Sequence, residues 1–248
     1  MSCLKCVLKC FAVLKSKNVH VLEKACIVNG DCEEPVLGLS VDDIAVLKKE
    51  TTCVIHASAC VKFDQCLKKA ALFVRAIRDI LELAKGMANL KAFVYVSTAF
   101  SNCVHLDIKE EFYEPPLTPE KFFAVVNSLH EDILDEITPR LLENFPNTYV
   151  YSKNISEDLV KSAGESLPVA VVRPPIVTSC NTEPITGWAD QFYGPFGLVT
   201  AGTLGILRSV YIHDVPVEIL PLDYVVNCII SVLWKTSRST SQIICYCL

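Results

Sequence analysis

Glycine is scarce. There are nine in 248 residues, and no three of them have the Gly-x-x-Gly-x-x-Gly spacing of a phosphate-cradling turn at a helix N-terminus. Basic residues are not in excess either: 23 Lys and Arg face 28 Asp and Glu, for a net charge of −5. No basic stripe appears, so nucleic acid is not expected as a partner. No run of about 18 apolar residues is present to span a bilayer; the longest candidate, Val225 to Trp234, is short and interrupted by Asn227. Cleavable-signal patterns, internal repeats and low-complexity tracts are also missing. Cysteine, by contrast, is plentiful at 13. The spacings of Cys3, Cys6, Cys10, Cys26, Cys32, Cys53, Cys60 and Cys66 fit no zinc rule, and most sit in apolar runs where a thiol acts as a small hydrophobe. They read as reduced, intracellular thiols with no metal site.

What is present suffices for a sizeable core, since 51% of residues are hydrophobic. Four β-branched or apolar runs read as strands: 25–31 (ACIVNGD), 53–59 (CVIHASA), 92–98 (AFVYVST) and 167–174 (LPVAVVRP). Between them, Leu67, Ala71, Val74, Ile77, Leu81 and Ala84 recur at helical spacing and stop near Gly86. Ser40 with Asp42 and Asp43 opens a shorter helix, Pro119 through Leu142 supports another, and Pro146-Asn147 opens a fourth. Strands alternating with helices imply an α/β, doubly wound parallel sheet with right-handed crossovers. Past Thr178 the pattern loosens into a Gly/Pro/aromatic stretch at 187–205. Such segments shape the substrate side of an α/β enzyme.

The fourth helix carries Tyr149 and Lys153 at i and i+4. This spacing puts both side chains on one face, about 6 Å apart. A phenol titrates near 10, and a neighbouring ammonium favours the phenolate, which brings the tyrosine toward the range of an acid–base catalyst. His56, by comparison, reads as a satisfied core histidine beside its strand, and Tyr151 as packing. Asn154-Ile155-Ser156 has the form of a glycosylation acceptor but lies inside a helix. Trp188 and Tyr193 could touch an apolar ligand or anchor a loop.

Several longer motifs, in order, resemble the fatty acyl-CoA reductases, especially the insect branch of that extended short-chain dehydrogenase/reductase family. They are Gly30-Asp31, HASACVKFD (56–64), NLKAFVYVSTAFSN (89–102), PNTYVYSKNISEDLV (146–160), VVRPPIVT (171–178), the GW-D--YGP-G pattern of 187–197 and LPLDYVVN (220–227). The resemblance runs from about Phe11 to Trp234. It implies a Rossmann-like fold and NADPH-dependent reduction of a long-chain acyl-CoA to an aldehyde or alcohol. By position it makes Tyr149 the proton donor and Lys153 the residue that binds the nicotinamide ribose and lowers the tyrosine pKa. Thr98, or its neighbour Ser97, would hold the carbonyl oxygen. Asp31 would lie at the adenine edge, Ala57 and Ser58 along the cofactor trough, and Pro174, Ile176 and Val177 against the nicotinamide.

The departures from the family are equally specific. The first strand–helix–strand unit, with its glycine turn, is missing, as are the basic residues that would select the NADP 2′-phosphate. Phe73, Ala76 and Ile77 stand where the family usually has Asn, Gly and Thr. The family's membrane-associated C-terminal region is absent after Leu248. The chain therefore reads as residues 1–17, an atypical segment that is a membrane-surface helix, a plain surface helix or a ragged terminus; 18–178, a partial NAD(P)-binding domain; and 179–248, a small substrate-side region. It is expected to be a core fragment, a partial gene product or a degenerate paralogue. The alternative to a reductase is a catalytically inactive acyl-CoA- or partner-binding module, and a nucleotide-sugar epimerase or reductase is a third reading. The resemblance also implies an intracellular chain, cytoplasmic or at the cytosolic face of an endoplasmic reticulum or peroxisomal membrane, with possible peripheral attachment.

Overall fold

The computed structural model describes residues 16, 19–189, 194–211, 213, 217–239 and 243–248. The expected helix over residues 1–17 and the side chain of Tyr193 lie outside the described residues. Two compact units emerge. The larger comprises Val28–Pro174 and Ile229–Leu248; the smaller contains Pro175–Cys228 with the described residues before Val28.

The larger unit is built on a parallel sheet in the order β1-β2-β3-β6, with β1 at Cys53–His56, β2 at Ala92–Val96, β3 at Val169–Arg173 and β6 at Ile243–Cys247. Val169 to Val172 are wholly buried, as a strand covered on both faces requires. Helices α1 (Val41–Glu50), α2 (Leu67–Lys85), α3 (Pro119–Ser128), α4 (Glu131–Leu142) and α5 (Thr148–Ala163) connect or cover these strands. Their starts follow local chemistry. Ser40 caps α1 by accepting from the Asp43 amide, and Asn147 caps α5 by accepting from Val150, both at 3.1 Å. Acidic Asp42 and Asp43 at one end of α1 and Lys48 and Lys49 at the other match the helix dipole.

One core cluster packs Ile77 and Leu81 of α2 and Val160 of α5 on Phe93, Val169 and Val171 of the sheet. A second joins Leu67 and Val74 of α2 to Phe122, Leu134, Tyr151 and Ile155. Helix α5 is buried on nearly every face, polar residues included: Ser152, Lys153, Asn154, Ser156 and Glu157 are all inside. Each of those groups therefore needs a partner within the protein.

The smaller unit has its own two-stranded parallel sheet, β4 (Ile176–Thr178) beside β5 (Ile219–Pro221), and helix α6 (Gly194–Thr203). Asp223 accepts from the amides of Asn181, Thr182 and Glu183 and from the Thr182 hydroxyl, at 2.9 to 3.3 Å. These donors, the Asn181 amide foremost, hold its carboxyl well below the usual range. Helix α7 (Leu222–Arg238) counts with the smaller unit as far as Cys228 and with the larger from Ile229.

Three expectations are corrected. Residues 25–31 form no strand and are exposed, because a parallel strand exists only through a neighbour's ladder and none is offered there. The second strand ends at His56, so Ala57 to Ala59 belong to the following loop. The helical pattern of 119–142 is two helices, α3 and α4, parted at Leu129-His130. Strand β6 had no counterpart in the sequence reading.

Candidate active site

Parallel sheets place ligands at the carboxyl ends of their strands. Here that end gathers His56, the last residue of β1, Ser97 and Thr98 after β2, and Lys153 from α5. Lys153 is 6% exposed; its Nζ donates to the Val96 carbonyl at 2.8 Å and lies 4.8 Å from the centre of the Tyr95 ring. Burial lowers its pKa to about 8, against the attraction of Glu157. Burial pushes the Tyr149 phenol above its ordinary value, and a hydrogen bond with Thr98 opposes the rise. The Thr98 hydroxyl also accepts from the Phe100 amide at 3.3 Å, which caps the short turn that follows.

Tyr149, Lys153, Ser58, Tyr95, Ser152 and Phe73 line a cavity of about 20 Å³, room for roughly one water. Phe73 gives it an apolar wall that can neither donate nor accept a proton. The Phe63 ring lies 5.6 Å from that of Tyr149.

The two hydroxyls after β2 have separate tasks. Ser97 Oγ donates to Glu157 Oε1 at 2.5 Å and faces a buried network, whereas Thr98 is the one that meets Tyr149. Asp31, Ala57 and Ser58 come together in a second hollow of about 300 Å³, with Gly30 and His56. Gly30 is required there, since a Cβ would lie 2.8 Å from the Leu37 carbonyl oxygen. The Pro174 carbonyl accepts from the Ala99 amide at 2.9 Å. Ile176 and Val177 lie on β4 of the smaller unit, paired with Ile219 and Leu220.

His56 is buried as expected, but it is not satisfied. It is 6% exposed and neither ring nitrogen has a hydrogen-bond partner. Burial, with the Lys153 charge second, lowers its pKa to about 4. The unfolded chain titrates near 6.5, so between these values it binds the proton that the folded chain refuses. Folding stability should thus fall as pH drops from about 6.5 to 4, by about 3 kcal/mol from this group. Urea unfolding at both ends of that window checks it: His56→Leu should lose less than the parent, and parallel losses would clear His56 of the effect.

The sequence reading passed over the largest polar assembly in this unit. Glu157 sits one turn after Lys153 and pairs with Arg173, which is 0% exposed, through Nε to Oε1 at 3.1 Å and Nη2 to Oε2 at 2.7 Å. Ser101 donates to Oε1 at 2.7 Å and Asn102 to Oε2 at 3.3 Å. Arg173 reaches on to the carbonyls of Lys109 and Glu111. Arg173 at the end of the apolar run Val169–Val172 was the available signal, because an arginine there is not tolerated inside without a partner.

These residues fit the two ends of a nicotinamide dinucleotide better than its middle. The hollow at Gly30–Asp31 and Ala57–Ser58 suits a nucleoside, and Lys153 keeps further N–H donors for ribose hydroxyls. For the diphosphate, no Gly-x-x-Gly-x-x-Gly turn is present in the sequence, and the N-terminus of α1 is closed by its own Ser40.

Comparison with known proteins agrees with this fold. The family model described as Male sterility protein matches residues 7–229. The Drosophila melanogaster fatty acyl-CoA reductase wat is 37% identical over 232 residues, 92% of this chain and 45% of that protein. Human fatty acyl-CoA reductase 1 is 37% identical over 228 residues, 91% of this chain and 44% of the relative. The chain thus spans about half the length of these relatives. Among solved structures, the terminal R domain of the myxalamid biosynthetic pathway matches with a TM-score of 0.58 at 24% identity, over 89% of this chain and 48% of that one. The Pseudomonas aeruginosa RMD, complexed with NADPH, gives 0.53 at 18% identity, over 95% and 73%. Both likenesses show a Rossmann-type α/β fold. With its motifs, its parallel sheet and a family match over most of its length, the chain belongs to the Male sterility protein family, that of the fatty acyl-CoA reductases.

Proposed function

We propose that this chain is the reductase core of a fatty acyl-CoA reductase, which uses NADPH to reduce a long-chain acyl-CoA thioester to an aldehyde and onward to the alcohol. One observation carries the reading: Tyr149, Thr98 and Lys153 converge at the carboxyl ends of β1 and β2, with the phenol kept protonated by burial. A protonated phenol is the form that a reduction consumes. NADPH, when bound, supplies the hydride. The Thr98 hydroxyl orients the carbonyl oxygen, Tyr149 delivers the proton as charge develops there, and Lys153 holds the ribose beneath. Asp31, Ala57 and Ser58 hold the adenosine end, with Pro174, Ile176 and Val177 assigned to the nicotinamide.

The second reading, an inactive module that binds acyl-CoA or a protein partner, is favoured by Phe73 in the wall of the Tyr149 cavity and by the want of a diphosphate turn among the described residues. The proposed site of action is intracellular, in the cytoplasm or at the cytosolic face of the endoplasmic reticulum or a peroxisome. No helix among the described residues is long and apolar enough to cross a membrane.

Cofactor binding by the purified chain separates the two readings. Calorimetry, or quenching of Trp188 and Trp234, should show NADPH binding with a micromolar Kd, about −8 kcal/mol, and weaker binding of NADH. A well-folded chain that binds neither nucleotide would favour the inactive module.

A further inference from the structure

Helix α2 faces two hollows. At about 100° per residue, Ala70, Phe73 and Ile77 fall on one side and line the Tyr149 cavity. Lys68, Leu72 and Arg75 fall on the opposite side. There α2 and α3, with the residues after α3, enclose a groove of about 300 Å³. Its floor is apolar, formed by Leu72, Phe123 and Leu129, and its rim is cationic, formed by Lys68, Arg75 and Arg78. No acidic side chain lines it.

The three cations are incompletely matched. Lys68 Nζ is 3.9 Å from Glu131, with both side chains about half exposed, a pairing of little strength. Arg78 lies over the Phe123 ring at 4.6 Å, and its nearest acid, Asp79, is its own neighbour at 3.6 Å. Arg75 gives Nη2 to the Glu33 carbonyl, while its Nε is buried with no partner. The buried Nε is out of a ligand's reach, but Arg75 Nη1 and the half-exposed Lys68 ammonium, beside an apolar floor, suit an acceptor attached to a hydrophobic body.

We propose that this groove binds a single-chain amphiphilic anion, a free fatty carboxylate. Its head lies between Arg75 and Lys68, and its tail lies on Leu72, Phe123 and Leu129. Concavity argues for a dissolved molecule over a bilayer, since a groove between two helices admits one chain and not a surface. The site lies across α2 from Tyr149 and does not depend on the reductase reading.

The test is calorimetry on the full chain with dodecanoate below its micellar concentration, beside dodecanol and inorganic phosphate. Dodecanoate should bind and the other two should not. Arg75→Gln should weaken it about tenfold or more, the worth of a charge-assisted hydrogen bond. Because Arg75 also holds the Glu33 carbonyl, Leu72→Glu serves as a second variant: it places a carboxylate in the groove from a partly exposed position and should abolish binding at an unchanged melting temperature. Equal binding of dodecanol, equal binding of phosphate, no binding by the folded parent, or dodecanoate affinity unmoved by both substitutions would each overturn the assignment.

Discussion

Replacing Glu157 by alanine is expected to cost about 3–5 kcal/mol of folding stability, the usual penalty for stripping one partner from a buried ion pair. Its two carboxylate oxygens accept from Ser97, Ser101, Asn102 and twice from Arg173, all within 3.3 Å. Without them the Arg173 guanidinium, 0% exposed, keeps only main-chain carbonyls and a thiol as partners. Glu157→Gln should fall between the two, because an amide offers one acceptor oxygen where the carboxylate offers two and turns a donor toward other donors. The same substitutions remove the charge that supports the Lys153 ammonium, so its pKa should fall further below about 8. Urea unfolding gives the first number and the ¹⁵N shift of Nζ the second. A loss under about 1 kcal/mol on Glu157→Ala, the scale of a surface pair, would show that the network contributes little.

The second large effect concerns turnover. In the reaction proposed above, Tyr149→Phe should lower acyl-CoA reduction by about 10² to 10⁴, the range of a positioned general acid, and leave NADPH affinity nearly unchanged. Phenylalanine keeps the ring beside Phe63 and removes only the hydroxyl. Lys153→Met should depress both quantities, since the ammonium is assigned to the ribose as well. With the lysine titrating at about 8, activity should decline as pH rises through that value and the charge is lost. Full turnover by the Tyr149→Phe variant would remove Tyr149 from the chemistry and leave Thr98 and the cofactor to carry it.

Much of this was legible in the residues because the strongest signals were local. The spacing of Leu67 through Ala84 needed only its own sequence to declare α2, and the cap at Asn147 declared the start of α5. Tyr149 and Lys153 followed from that helix alone. What escaped depends on remote partners. ACIVNGD has the composition of a strand, yet no neighbour among the described residues supplies its ladder. Residues 243–247 carry no periodic cue, and they become β6 only because β3 offers an edge. Leu129-His130 carries neither proline nor glycine to announce the break between α3 and α4. His56 looked like an ordinary core residue, and only the three-dimensional surroundings reveal that both its nitrogens are unmet. Ser97 and Thr98 could not be told apart by position. The buried carboxylate of Glu157 separates them by claiming the first.

The late arrival of β6 sets a clock on synthesis. Arg173 and Cys247 are 74 residues apart, which at 5–20 residues per second is about 4 to 15 s on the ribosome. For that interval β3 presents one side of Val-Ala-Val-Val-Arg with no strand beside it, free of lysine and proline. The nascent chain is thus open to mispairing along β3 until Ile243 emerges, and a holdase acting in those seconds should raise its yield.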